Sequence, residues 1–165
     1  MLVSIQCMAQ NEKLLIYSHV EKLSNAKAYT LKVAESMPES KYSFKPVSDE
    51  MSFKEQLIHI GQNLYWLSGT FMAELPDYKT KKPLNEEHMT KSEIIDFLAG
   101  AYDFAIRAVN NLDAESIPKE FAFAGKKLNK IQFLNLIQDH QAHHRAQLIV
   151  YLRLNQLKPP AYVGW

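Results

Sequence analysis

The chain has 165 residues, 47% of them hydrophobic and 22% charged, with nineteen basic and eighteen acidic side chains for a formal net charge of +1. A single domain of that length can bury a full core without disulfides or a structural metal. Ordinary globular composition excludes a disordered chain, scattered and balanced charge argues against a dedicated nucleic-acid binder, and no apolar run approaches the roughly twenty residues that span a bilayer.

The amino-terminal MLVSIQCMAQ carries no Lys or Arg before Lys13, and its apolar part is too short for a complete signal peptide. The expected location is the cytoplasm. An apolar stretch ending in Cys-Met-Ala-Gln also has the form of the back half of an export signal, which makes a periplasmic location the alternative. Residues 1–10 are therefore read as an N-terminal extension and residues 11–165 as one domain. Its one cysteine, Cys7, leaves no intrachain disulfide and no multi-cysteine zinc site.

Apolar residues recur at three-and-four spacing through four long segments, which predicts helices. The first runs from Asn11 to Ser36, with Ile16, Val20, Leu23, Ala26, Thr30 and Val33 on one face, and stops before Pro38. The second opens at Ser52-Phe-Lys-Glu55 and reaches about Ala73, the third opens at Thr90-Lys-Ser-Glu93 and reaches about Asn111, and the fourth opens at Asn129-Lys-Ile-Gln132 and reaches about Asn155. Each of these three starts pairs a side-chain acceptor with a Glu or Gln three residues on, the pattern of a capping box. Between the helices lie Pro-containing connections, with a short extended excursion around EFAFAG before the fourth. Four helices with one apolar stripe each predict an all-α four-helix bundle. The clusters KTKK (79–82) and Lys126, Lys127 and Lys130 are read as solvated decoration.

The stretch DHQAHHRAQ (139–147) places three histidines within five positions of the fourth helix. At 100° per residue, Phe133, Ile137, His140, His144, Leu148 and Tyr151 share one face, and His143 falls on its shoulder. Imidazoles four apart on a helix can converge on one point, as helical metal pairs do. Two imidazoles in an apolar stripe must be hydrogen-bonded or metal-bound, so a pair of core histidines bonded to polar neighbours stands beside the metal reading. A third nitrogen ligand could come from His19, His59 or His88. His88 sits among Glu86, Glu87 and Met89 and reads as solvated, whereas His19 borders the first helix's stripe. On the second helix, Gln56, His59, Asn63, Trp66 and Thr70 form a polar line beside the apolar stripe Phe53, Leu57, Ile60, Leu64, Leu67 and Phe71. Such a line predicts a polar-lined pocket within the bundle. Three neutral imidazoles would leave an open position on a divalent ion, and Gln56, Asn63 and Gln147 are candidate outer partners of the ligands.

The segments SFKEQLIHIGQNLYWL and DHQAHHRAQLIVYLRLNQLKPPAYVGW, with their separation, resemble the DinB/YfiT-like family of metal-dependent enzymes. The resemblance implies His59 as the lone ligand and His140 and His144 as the pair, with zinc or nickel as the ion. It implies an up-down-down-up bundle in which residues 74–89 cross between parallel helices, and frequent homodimers. It further implies thiol transferase or hydrolase chemistry on a small-molecule substrate, with a low-molecular-weight thiol as a candidate cosubstrate. Ala146 stands where the family commonly has glycine. A non-catalytic bundle that holds a metal or a small molecule is the alternative, and neither nucleic acid nor membrane is an expected partner.

Overall fold

Ser52, Thr90 and Asn129 each close a complete capping box in the computed structural model, which describes residues 2–75 and 86–165 and places side chains from residue 11 onward. The Ser52 hydroxyl accepts from the Glu55 amide at 3.2 Å and the Glu55 carboxylate accepts from the Ser52 amide at 2.6 Å. These bonds hold the Glu55 carboxyl below its ordinary range. With their orphan amides satisfied, helices α2 (Phe53–Leu67), α3 (Lys91–Asn110) and α4 (Lys130–Leu154) start where the sequence predicts. Helix α1 (Leu2–Ser36) begins before the predicted Asn11, because neither Gly nor Pro interrupts residues 2–11. A π turn, Ser68–Met72, prolongs α2.

Side-chain contacts fix the helix directions. Thr30 of α1 meets Tyr102 of α3 and Lys91 reaches back to the Met37 carbonyl, so α1 and α3 run antiparallel. Tyr65 packs on Phe97 and Phe104 while Gly61 abuts Phe97, so α2 and α3 run parallel. Phe71 stacks on Phe133 at 3.8 Å and Gln56 meets His144, so α2 and α4 run antiparallel. The bundle is up-down-down-up, with α1 and α2 at opposite corners and α3 and α4 at the other two. The crossover that joins the parallel helices falls mainly in residues 76–85, as does KTKK, and these lie outside the described residues.

The extended excursion is a two-residue hairpin, β1 (Glu120–Phe123) and β2 (Lys126–Asn129), paired from Glu120 with Asn129 to Phe123 with Lys126. Ala124 and Gly125 both have positive φ, the turn that matches strand twist. Phe121 and Phe123, two apart and so on one face, lie edge-on against Phe71 and Phe133 and close that end of the bundle. After α4 the chain turns at Gln156, φ 61°, and the C-terminal segment runs back along the α1–α4 groove, with Tyr162 edge-on to Tyr29 and Trp165 beneath the Lys22 ammonium.

Lys130 departs from expectation. It is 2% exposed, not solvated, and its ammonium donates to the Glu74 carboxylate at 2.8 Å and to the Ser116 hydroxyl at 3.1 Å. Glu74, at φ 52°, also accepts from Lys119, and the two ammonium groups hold its carboxyl below the usual range. Burial is tolerated because the charge is paired, a partnership between residues 56 positions apart that local sequence does not reveal. Glu74→Gln should cost about 1–3 kcal/mol by leaving that ammonium without its counter-charge, measured by urea denaturation. Adding Lys130→Met should recover part of the loss, because the charge is then gone.

Candidate metal centre

Helices α2 and α4 meet antiparallel, so a three-residue step on one faces a four-residue step on the other. His59 lies opposite His140, with the two Nε2 atoms 3.1 Å apart, and Gln56 lies opposite His144. Ring centroids are 4.9 Å apart for His59 and His140, and 4.5 Å apart both for His59 and His144 and for His140 and His144. One nitrogen from each imidazole falls within 4.8 Å of the others. All three rings are half-buried.

Donor and acceptor arithmetic sets the orientation of His144. The Tyr151 hydroxyl donates to the Met51 carbonyl at 2.9 Å, so its oxygen can only accept from Gln56, with which it also hydrogen-bonds. The Gln56 amide nitrogen therefore faces Tyr151, and its oxygen accepts from His144 Nδ1 at 2.5 Å. That places the His144 proton on Nδ1 and leaves Nε2 with a free lone pair, the tautomer a metal ligand needs. Gln56 is 1% exposed, so water does not compete for these bonds.

The electrostatics agree. Burial first, and then the neighbouring imidazoles, push the pKa of His140 and of His144 down from 6.5 to about 4. His59 is lowered by burial, partly offset by the Glu86 carboxylate. Neutral imidazoles at ordinary pH are the protonation state that ligation requires. Nitrogen ligands of a four-coordinate zinc ion, each about 2.0–2.1 Å from the metal, lie about 3.3 Å apart, close to the separation of His59 from His140. The donor set fits a divalent ion.

Other histidines lie elsewhere. His143 is exposed, with its Nε2 3.4 Å from the Gln147 amide nitrogen. His88 is exposed on a 3-10 turn, and His19 is half-buried on α1 outside the trio. The polar-lined pocket is shorter than the α2 pattern suggests. A cleft of about 320 Å³ opens at His59 and is lined by Lys45, Asp49, Glu50, Glu55, Gln62 and Glu86 among others. Asn63 and Trp66 do not border it; Trp66 packs on Phe71 and Phe123 of the aromatic end, because the hairpin covers that part of α2. Two contributors escape sequence reasoning. Tyr151 counts as an apolar stripe residue until its hydroxyl is seen orienting Gln56, although its place seven after His144 was a usable signal. Glu86 enters the sequence reading only as a neighbour of His88, yet it borders the cleft.

The sign of the pH dependence follows from the lowered values. Unfolded histidines titrate near 6.5 and the folded pair near 4, so between those values the unfolded chain binds more protons. Stability of metal-free protein should be full above the unfolded value and fall as pH drops through that window. His140→Gln should flatten the decline, measured by urea midpoints across the window. An equally steep profile in the variant would contradict the lowered pKa.

Comparison with known proteins bears on the same residues. The YjoA protein of Bacillus subtilis (strain 168), an uncharacterized protein, is 25% identical over 128 residues, 75% of this chain and 80% of that one. Its crystal structure, a DinB-like protein, superposes with a TM-score of 0.74 at 19% identity, covering 88% of this chain and 96% of that one. A DinB-like protein of Bacillus cereus ATCC 10987 superposes with a TM-score of 0.70 at 15% identity, over 88% of this chain and 95% of that one. The DinB family model matches residues 8–163, nearly the whole chain and all three clustered histidines, and the protein belongs to the DinB family.

Proposed function

We propose that this protein is a metal-dependent enzyme in which His59, His140 and His144 hold one divalent ion, zinc or nickel, facing the cleft at His59. The observation that carries the reading is the convergence of three imidazoles, one nitrogen from each within 4.8 Å of the others, with His59 of the trio bordering that cleft. Bound there, the ion would supply Lewis acidity, lowering the pKa of a water or a small-molecule thiol for attack on an electrophile. His59 contributes from α2 and the pair from α4, so the seam between the two helices presents the ligand atoms together. Gln56 holds the His144 proton on Nδ1, and Tyr151 holds Gln56. Glu55 and Glu86 line the approach and favour substrates or cosubstrates with a positive group on the arriving end.

Among the described residues no carboxylate oxygen lies within 4.0 Å of a ring nitrogen of the three imidazoles. A thiol attacking under metal activation needs no protein base that close, which favours thiol transfer over a hydrolysis that depends on an adjacent carboxylate. The cleft at His59 also weighs against the non-catalytic alternative, which predicts no water-accessible cavity there.

Protein purified without a histidine tag should carry about one divalent ion per chain by elemental analysis, and His144→Ala should lose it. Full occupancy in that variant would end the proposed ligand set. Gln56→Leu should keep all three ligands and weaken metal binding by about 10–100-fold, read by competition with a chromogenic chelator.

A further inference from the structure

A second polar cluster lies on the flank of α4 that faces α1, away from the histidines. Gln141, 2% exposed, is at its centre. Its amide oxygen accepts from Arg145 Nη1 at 2.8 Å and from the Tyr102 hydroxyl at 2.6 Å. A guanidinium only donates, so the Gln141 oxygen must face Arg145 and its amide nitrogen must point the other way. That nitrogen donates to the Gln138 oxygen at 2.8 Å. The orientation propagates once more: Gln138, 6% exposed, is left with its amide nitrogen buried and without a hydrogen-bond partner. The leftover group is a donor, and no flip of either amide can make it an acceptor.

Gln138 lines a cavity of about 80 Å³ with Arg145, Gln141, Lys22 and Asp139, closed by Val163 and Gly164 of the C-terminal segment. Among the described residues neither Arg145 nor Lys22 has a carboxylate partner. Arg145 donates to Thr30 and Gln141 and lies over the Tyr29 ring, and Lys22 lies over the Trp165 ring at 5.1 Å. Asp139 supplies the one opposing charge on the wall, so cations exceed anions by one. A half-buried guanidinium without a counter-charge, a second cation and an orphaned buried N–H donor ask for the same thing. Each is satisfied by negatively charged oxygen.

We propose that this cavity between α1, α4 and the C-terminal segment is a binding site for a small oxyanion, the carboxylate or phosphate group of a metabolite. Its size suits one such head group. The site is separate from the metal centre and stands whether or not the trio holds an ion.

The test is a titration of the full chain with sodium phosphate and, separately, sodium acetate at ionic strength held constant with sodium chloride, following the Gln138 side-chain amide by ¹H–¹⁵N correlation spectra. A saturable shift is expected, with half-saturation on the order of 1 mM for an isolated head group. Acetate acting better than phosphate identifies a planar carboxylate site, and the reverse a tetrahedral one. Gln138→Glu keeps the acceptor for Gln141 and exchanges the free donor for an acceptor, so it should weaken binding at least tenfold, followed on neighbouring backbone amides. Lys22→Gln, on a side chain outside the buried network, should weaken it about two- to fivefold and keeps the test valid if the first variant does not fold. No saturable response to either anion, or equal binding in wild type and Lys22→Gln, overturns the proposal.

Discussion

A half-buried seam between two helices must accommodate three imidazoles and an amide where its neighbours along each helix are apolar, and that requirement shapes the centre of the molecule. Unpaired polar groups there are costly, and charged imidazoles costlier still. The chain meets the cost with a directed series of hydrogen bonds: the Met51 carbonyl accepts from Tyr151, Tyr151 accepts from Gln56, and Gln56 accepts from His144. Each bond removes one degree of freedom from the next group. Sliding α2 along α4 by a turn would break the series, so the same bonds that set a tautomer also set the register of the two helices.

Polar groups elsewhere in the core obey the same arithmetic with different outcomes. Lys130 ends its series on a carboxylate, and the charge is closed. Arg145 starts a series through Gln141 to Gln138 that ends on a donor, and the charge is left open. Helix α4 therefore carries two polar faces directed at different neighbours, histidines toward α2 and amides with a guanidinium toward α1. Both faces sit within the same stretch of sequence that holds the three histidines.

Much of this was legible in the 165 letters, for definite reasons. Capping boxes are local chemistry, and all three predicted from Ser52, Thr90 and Asn129 are formed. Helical periodicity separated His140 and His144 from His143, and placed Gln56 one turn before His59. What stayed hidden depends on contacts between distant segments. The burial of Lys130 rests on Glu74, and the shortening of the α2 polar line rests on a hairpin whose Phe123 covers Trp66. The free donor on Gln138 is hidden more deeply, since it follows from which end of Gln141 a guanidinium four helical positions away will accept as neighbour.

The antiparallel seam has a consequence for how the molecule comes apart. His59 and His140 are 81 positions apart, and Gln56 and His144 are 88 apart, so no hairpin or helix pair contiguous in the chain contains the cluster. Local fraying at either terminus leaves it whole, and nothing short of separating α2 from α4 dissolves it. Any ligand that prefers the assembled cluster is therefore thermodynamically linked to global unfolding. Amide exchange at the slowest core positions of α2 and α4, more than at loops around the cleft, would register its arrival.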